Sequence, residues 1–270
     1  VRRARWAAAL LAALAAALPA GPAAAEVPIF PEHPPPHRYG TVVLDAFSSA
    51  AGMAPVVFDH WRHRPLYTCR LCHVDVGFAM QAGATQVSAG TNRSGLHCGA
   101  CHNGKTQQAG QPIFPACSDS KKRPPDAACG RCHGALTRPT RSEEYERFVR
   151  ILPRDAAELV DWEEAERRAF SKPADFVEGV SLRPDRLGID RNFSISAIGT
   201  WLGEVAFSHQ KHARWSGCEG CHPEIFPSTK RGAASYKMKD IVAGEYCGVC
   251  HNKVAFALAS CLRCHERPPR

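Results

Sequence analysis

The chain is poor in residues that usually fill a core. It has three methionines, five tyrosines and five tryptophans among 270 residues. Beyond the first 25 residues no stretch approaches the roughly 18 apolar residues a membrane-spanning helix needs, so the remainder is expected to be soluble. Residues 134–206 contain neither cysteine nor histidine, so chemistry based on those side chains must lie on either side of that gap.

The one long apolar run stands at the start. Arg2, Arg3 and Arg5 precede an Ala/Leu run over residues 7–18, and Pro19 and Pro22 are followed by Ala23, Ala24 and Ala25. This is the basic, apolar and small-residue pattern of a secretory signal peptide, so residues 1–25 are expected to be removed on export. The run is too short, and reaches Pro and Gly too soon, for a membrane span. No cysteine follows it as a lipid anchor would require. The expected location lies across the inner membrane, in the periplasm or at the cell surface.

Thirteen cysteines in an exported chain would ordinarily indicate disulfides. Their spacing points elsewhere. Twelve of them form Cys-x-x-Cys pairs, each followed at once by histidine: Cys69/Cys72/His73, Cys98/Cys101/His102, Cys129/Cys132/His133, Cys218/Cys221/His222, Cys247/Cys250/His251 and Cys261/Cys264/His265. Cys-x-x-Cys-His is the attachment signal for haem c. Two thiols add across the two vinyl groups as thioethers, and the adjacent imidazole becomes the proximal iron ligand. Structural zinc also uses Cys-x-x-Cys but does not require histidine directly after each pair. A thioredoxin-like dithiol would show one motif, not six. The expected cofactors are six covalently bound haems c.

The formal charge of +8 falls to +5 once the three leader arginines are gone (8 − 3), which taken alone invites a nucleic-acid reading. Two propionates per haem reverse it. Six haems bring the total to roughly −7 when reduced (5 − 12) and roughly −1 when oxidised (5 − 12 + 6). The expected partners are redox proteins, with nucleic acid excluded. An inner- or outer-membrane redox complex and self-association remain open.

The chain repeats itself. Phe58-x-His60-x-x-His63 stands before the first motif, and Phe207-x-His209-x-x-His212 before the fourth. In both places the second histidine precedes the motif by six positions, and the next motif begins 29 residues later. Gly83 and Gly95 match Gly232 and Gly244 at the same offset of 149, so each copy carries three motifs. The copies diverge after their second motif. The third follows 31 residues later in the first copy and 14 later in the second, and the longer loop carries the odd Cys117, a free thiol or one half of an intermolecular disulfide.

The Phe-x-His-x-x-His segment upstream of Cys-x-x-Cys-His resembles the class III cytochromes c, the tetrahaem c-three and trihaem c-seven types, over residues 56–133 and 205–265. The resemblance implies two tandem trihaem modules. It also implies a distal ligand for four haems: His60 opposite His73, His63 opposite His102, His209 opposite His222 and His212 opposite His251. The third haem of each module departs from the family's pattern. His97 stands immediately before Cys98, closer than the family spacing, and its counterpart is Tyr246. His133 is left with His97 or Met80, and His265 with Met238. Methionine ligation would raise a haem's potential, while ordinary packing is the competing role for both methionines. His33 and His37 lie in a proline-rich segment and read as solvated linker residues or as further ligands.

The expected fold is mostly irregular and small-helical with little β structure, comprising two trihaem class III-like modules separated by a helical insert. The divisions are 1–25 signal peptide, 26–54 arm, 55–133 first module, 134–204 insert and 205–270 second module. Strands are expected near residues 41–44 and 55–58. In the insert, one helix is expected from Ser142 as its cap and another over residues 153–170, with packing between modules favoured over an external docking face. Thirteen histidines less six proximal ligands leave seven, which with three methionines give ten candidate distal groups. The implied function is electron transfer in anaerobic respiration rather than catalysis. A reductase with one open haem position and a subunit of a conducting filament are the alternatives.

Overall fold

The computed structural model describes residues 30–117, 129–134, 139–183, 191–196, 202–230 and 232–266. The segment expected to be a signal peptide lies outside these residues, as does part of the loop after Cys117. Among the described residues the fold is the expected one: short helices and turns with three two-stranded ribbons. Among the described residues no helix is long and apolar enough to cross a membrane.

Each copy opens on a hairpin. β1 (Thr41–Leu44) pairs antiparallel with β2 (Val56–Asp59), and Val42 faces Phe58. Burial in β2 alternates along the strand, with Val57 and Asp59 turned inward. Between the copies' hairpins, β3 (Gln107–Gln108) and β4 (Gln111–Pro112) form a small ribbon in the extra loop of the first copy. β5 (Phe193–Ile195) then pairs with β6 (Val205–Phe207), and Phe193 faces Phe207. Phe58 and Phe207 are equivalent by the 149-residue offset, so the repeat is structural as well as sequential. Its opening strands lie in the arm and in the insert, upstream of the repeated histidines.

The helices follow the same symmetry. α1 (His60–His63) directly follows β2, and α2 (Ala89–Arg93) starts in a capping box between Ser88 and Thr91. In the second copy α5 (His209–Ser216) is capped by the Ser208 hydroxyl, and α6 (Met238–Val242) stands where α2 does in the first. Both α2 and α6 turn off at left-handed glycines, Gly95 (φ +80°) and Gly244 (φ +100°), whose amides close on Asn92 and Ile241.

Two expectations for the insert need correction. α3 spans Pro139–Val149, so Ser142 lies inside the helix rather than capping it; proline suits the first helical turn because its missing N–H would be unpaired there anyway. The expected helix over 153–170 shrinks to α4 (Trp162–Arg167), capped by Asp161. Upstream, Asp155 draws the chain into a turn: its carboxylate accepts from the Ala157 and Leu159 amides, and its own amide donates to the Leu159 carbonyl.

The insert packs. Trp61 of α1 meets Tyr145 at 5.5 Å and Phe148 at 5.2 Å, and Val149 and Val160 complete the cluster. Buried Arg141 pairs with buried Asp59, and Arg62 reaches Glu144. On its other side the insert meets the second module through Arg263, 3.4 Å from Asp161 and 3.6 Å from Asp155, and through Arg214, 3.5 Å from Glu166. The arm joins both modules: the Tyr39 hydroxyl donates to the Ala255 carbonyl at 2.5 Å. Gly40 (φ +74°) lies so close to Val254 that a Cβ there would stand 3.2 Å from its methyl carbon.

Candidate haem sites

Local backbone sets each motif. In five of the six, the histidine amide donates to the carbonyl of the first cysteine, at 2.8 Å for His102, 2.9 Å for His133, 2.9 Å for His222, 3.0 Å for His251 and 2.9 Å for His265. The first motif runs from a helical turn at Cys69 into a π-helical segment, Leu71–Asp75. Such a single turn puts two thiols and an imidazole on one side of the chain.

The six motif histidines share a second feature. Each Nδ1 faces a backbone carbonyl: His73 that of Phe78 (2.8 Å), His102 that of Phe114 (3.2 Å), His133 that of Ala54 (2.6 Å), His222 that of Phe226 (2.6 Å), His251 that of Phe256 (3.4 Å) and His265 that of Gly203 (3.1 Å). A carbonyl only accepts, so Nδ1 must carry the proton. Nε2 is thereby left as the lone-pair donor, the tautomer a metal ligand needs. The upstream histidines follow suit where a partner exists: His60 Nδ1 faces the Gly40 carbonyl at 2.5 Å and His212 that of Ser208 at 2.8 Å. His63 Nδ1 has no hydrogen bond of good geometry, although the nearby Asp59 carbonyl acts to raise its basicity.

The rings then meet in pairs. His60 and His73 lie 6.3 Å apart and parallel to within 4°, His63 and His102 lie 6.2 Å apart, and His212 and His251 lie 6.2 Å apart. Two imidazole–metal bonds of roughly 2 Å, with each centroid roughly 1.2 Å behind its nitrogen, sum to roughly 6.4 Å. The three distances therefore fit a metal held between each pair. Burial lowers the pKa of His60, His63 and His251 to about 4, with the facing ring as a further cause, so these imidazoles are neutral at pH 7.

Phenylalanine orders the upstream pairs. Phe58 stacks on His63 at 4.7 Å and meets His60 edge-on at 4.9 Å, while Phe207 does the same to His212 at 4.5 Å and His209 at 5.1 Å. After the second motif of each copy, Phe114 and Phe256 both pack on the motif histidine and accept from it, at ring distances of 4.6 and 4.3 Å. The sequence reading passed over Phe78, Phe114, Phe226 and Phe256. Their recurrence within a dozen residues after a motif was the available signal.

Not every implied pair is brought together. No ring contact joins His209 to His222 among the described residues; His209 instead meets Phe193 and Phe207 at 5.1 Å each. His97, in a left-handed conformation (φ 49°), faces Thr91 Oγ1 at 3.3 Å and Phe78 at 5.5 Å, and makes no ring contact with His133. Met80, His97 and Met238 all line the central cavity. His33 meets Tyr39 at 5.8 Å, and His37 lies in a short turn over Pro36–Arg38. Cys117 lies within 3.7 Å of the Asn92 amide nitrogen.

That cavity spans both modules with a volume of about 2300 Å³, more than twice the upper end of the roughly 300–1,000 Å³ usual for a ligand pocket. Ten of the twelve motif cysteines line it, Cys129 and Cys218 being the exceptions. None of the thirteen cysteines forms a disulfide. Burial pushes the Cys72 and Cys250 thiols up to about 12, the opposite of what an activated redox thiol needs. Among the described residues no three Cys, His, Asp or Glu side chains converge as a zinc site requires. Thiols on an apolar wall, paired imidazoles and a large cavity suit haem.

Comparison with family models agrees. The family model for cytochrome c7 and related cytochrome c matches residues 56–134 and 205–266. No curated protein matches the chain. Among solved structures it is similar to the C-terminal hexaheme fragment of GSU1996, with 26% identity over 87% of this chain and 99% of that one and a TM-score of 0.26. It is also similar to the dodecaheme cytochrome c GSU1996, with 25% identity over 86% of this chain and 49% of that one and a TM-score of 0.25.

Proposed function

The chain belongs to the family of cytochrome c7 and related cytochromes c, multihaem electron-transfer proteins, and from that premise we propose that it carries six haems and works as an exported electron carrier rather than an enzyme. When bound, the haems supply one-electron exchange between ferric and ferrous iron. The chain's own residues attach, ligate and insulate them. The twelve paired cysteines would attach the haems, and His73, His102, His133, His222, His251 and His265 would each supply one iron ligand. His60, His63, His209 and His212 would supply the second ligand of four haems, and His97 or Met80, and Met238, that of the third haem of each module.

The observation that carries this reading is the spacing of the facing rings, 6.2–6.3 Å in three pairs. At those three sites a histidine on each side would leave no position for a substrate. The reductase alternative has one observation behind it, that His133, His222 and His265 meet no histidine ring among the described residues. Its role is taken to be transfer between redox proteins of anaerobic respiration, in the periplasm or at the cell surface, on the strength of the leader sequence and the family's chemistry.

A pyridine haemochrome assay with intact mass, followed by absorption spectra in both oxidation states, tests the reading. Six covalent haems with only low-spin bands are expected. Fewer haems would break the motif count, and a high-spin fraction that shifts with added ligand would establish an open site.

A further inference from the structure

Arg64 sits where the two modules meet. It directly follows His63 in the chain, and its Nη1 donates to the Val254 carbonyl, in the loop after the fifth motif. The guanidinium lies over two tryptophans, Trp162 of the insert at 5.2 Å and Trp215 of the second module at 5.0 Å. Its Nε is buried without a hydrogen-bond partner. Among the described residues no carboxylate stands within ion-pair distance of it. Glu166 is near enough to act on its charge but is already engaged by Arg214 at 3.5 Å.

A buried cation with a free donor and no counter-ion costs several kcal/mol unless an anion answers it, on the order of the penalty for burying any single charge. Two aromatic faces offset only part of that. Other enclosed arginines of this chain are answered: Arg70 by Asp75 at 2.8 Å and Asp175 at 3.2 Å, and Arg141 by Asp59. Arg64 lines the central cavity together with Cys69, Cys221 and Cys250, and the thiols of Cys69 and Cys250 lie close enough to act on its charge. The anions such a cavity would bring are the carboxylates of the haems attached there.

We propose that Arg64 is the counter-charge of a haem propionate at the junction of the modules, on the haem of Cys69 and Cys72 or its neighbour on Cys247 and Cys250, and that it raises that haem's reduction potential. The inference rests on the haem assignment above. Its sign is set by charge: a fixed cation disfavours ferric iron, which carries one more positive charge than ferrous, and it also masks the negative propionate.

Spectroelectrochemical titration of the holoprotein tests it with Arg64→Met, Arg64→Gln and Arg64→Lys, after haem content has been measured for each. Wild-type protein without haem would end the haem assignment itself. With six haems present, Met and Gln variants are expected to shift one component of the titration to lower potential and the Lys variant to stay near wild type. Unchanged titrations in the Met and Gln variants, or an equal shift in all three, would overturn the proposal. Should the variants fail to load haem, a crystal structure of the wild-type holoprotein decides. A propionate oxygen within about 4 Å of the Arg64 guanidinium is expected, and its absence refutes the pairing. The same structure identifies which of the two haems owns the propionate.

Discussion

A Cβ added at Gly99 would stand 1.8 Å from the carbonyl oxygen of Asn92. The same relationship recurs 149 residues later, where a Cβ at Gly248 would meet the Ile241 carbonyl at 1.9 Å. These glycines are the first intervening residues of the second and fifth Cys-x-x-Cys pairs. Each motif turn is pressed against the end of the preceding short helix, and only hydrogen fits between two stretches of backbone.

Gly99→Ala and Gly248→Ala are therefore expected to destabilise the holoprotein by about 3 kcal/mol, the upper range for overpacking, because backbone cannot swing aside as a side chain can. Gly90 is the control. It sits within α2 with ordinary contact to Ser88 at 3.6 Å, so Gly90→Ala should stabilise by about 0.5–1 kcal/mol through helix propensity. Urea unfolding followed at the haem absorption band reads all three.

What was legible in the sequence, and what was not, divides along the backbone. The attachment motifs, the paired histidines and the 149-residue repeat are written in side chains, and the structure brings three of the four implied ring pairs together. The carbonyls of Ala54 and Gly203 that orient His133 and His265 left no trace, because any residue carries a carbonyl. The hairpin's opening strand was legible at Thr41–Leu44 and missed at Phe193–Ile195, where only three residues pair. The insert misled over residues 153–161 because helical spacing of Leu159 and Val160 also suits a turn that buries both. Asp155, accepting from two backbone amides, decided between them.

Removing a distal imidazole should expose one iron without detaching its haem. His63→Ala and His212→Ala are each expected to keep six haems by pyridine haemochrome while one haem in six becomes high-spin, since the thioethers and proximal ligands are untouched. His33→Ala with His37→Ala should leave the spectrum unchanged, because neither ring meets a motif histidine among the described residues. A fully low-spin His63→Ala spectrum would refute the assignment of that ligand.

The Arg141–Asp59 pair should prove costly to break. Both side chains are buried, at 10% and 2% exposure, and Asp59 also accepts from Thr41 Oγ1 at 2.8 Å in the strand that leads into His60. Arg141→Ala is expected to cost about 3 kcal/mol in urea unfolding, mostly from leaving the carboxylate short of a counter-charge. Arg154→Ala, which loses a pair with Glu146 in solvent, should cost less than about 1 kcal/mol.

Salt should separate the insert's two contacts. Toward the first module it offers buried charge and the cluster of Trp61, Tyr145, Val149 and Val160, which ionic strength barely reaches. Toward the second it relies on Arg263, Lys211 and Arg214, paired with Asp155, Asp161, Glu163 and Glu166, pairs that each keep at least one partner more open than the buried Arg141 and Asp59. Screening shortens from about 8 Å at physiological ionic strength to about 3 Å at 1 M, close to the separation of these charges. High salt should therefore loosen the second contact first. Hydrogen exchange is expected to rise in α4 and α5 at 1 M salt while α1 and α3 stay protected. Equal loss of protection on both sides would mean that the second module is held by the arm and by Arg64 rather than by these pairs.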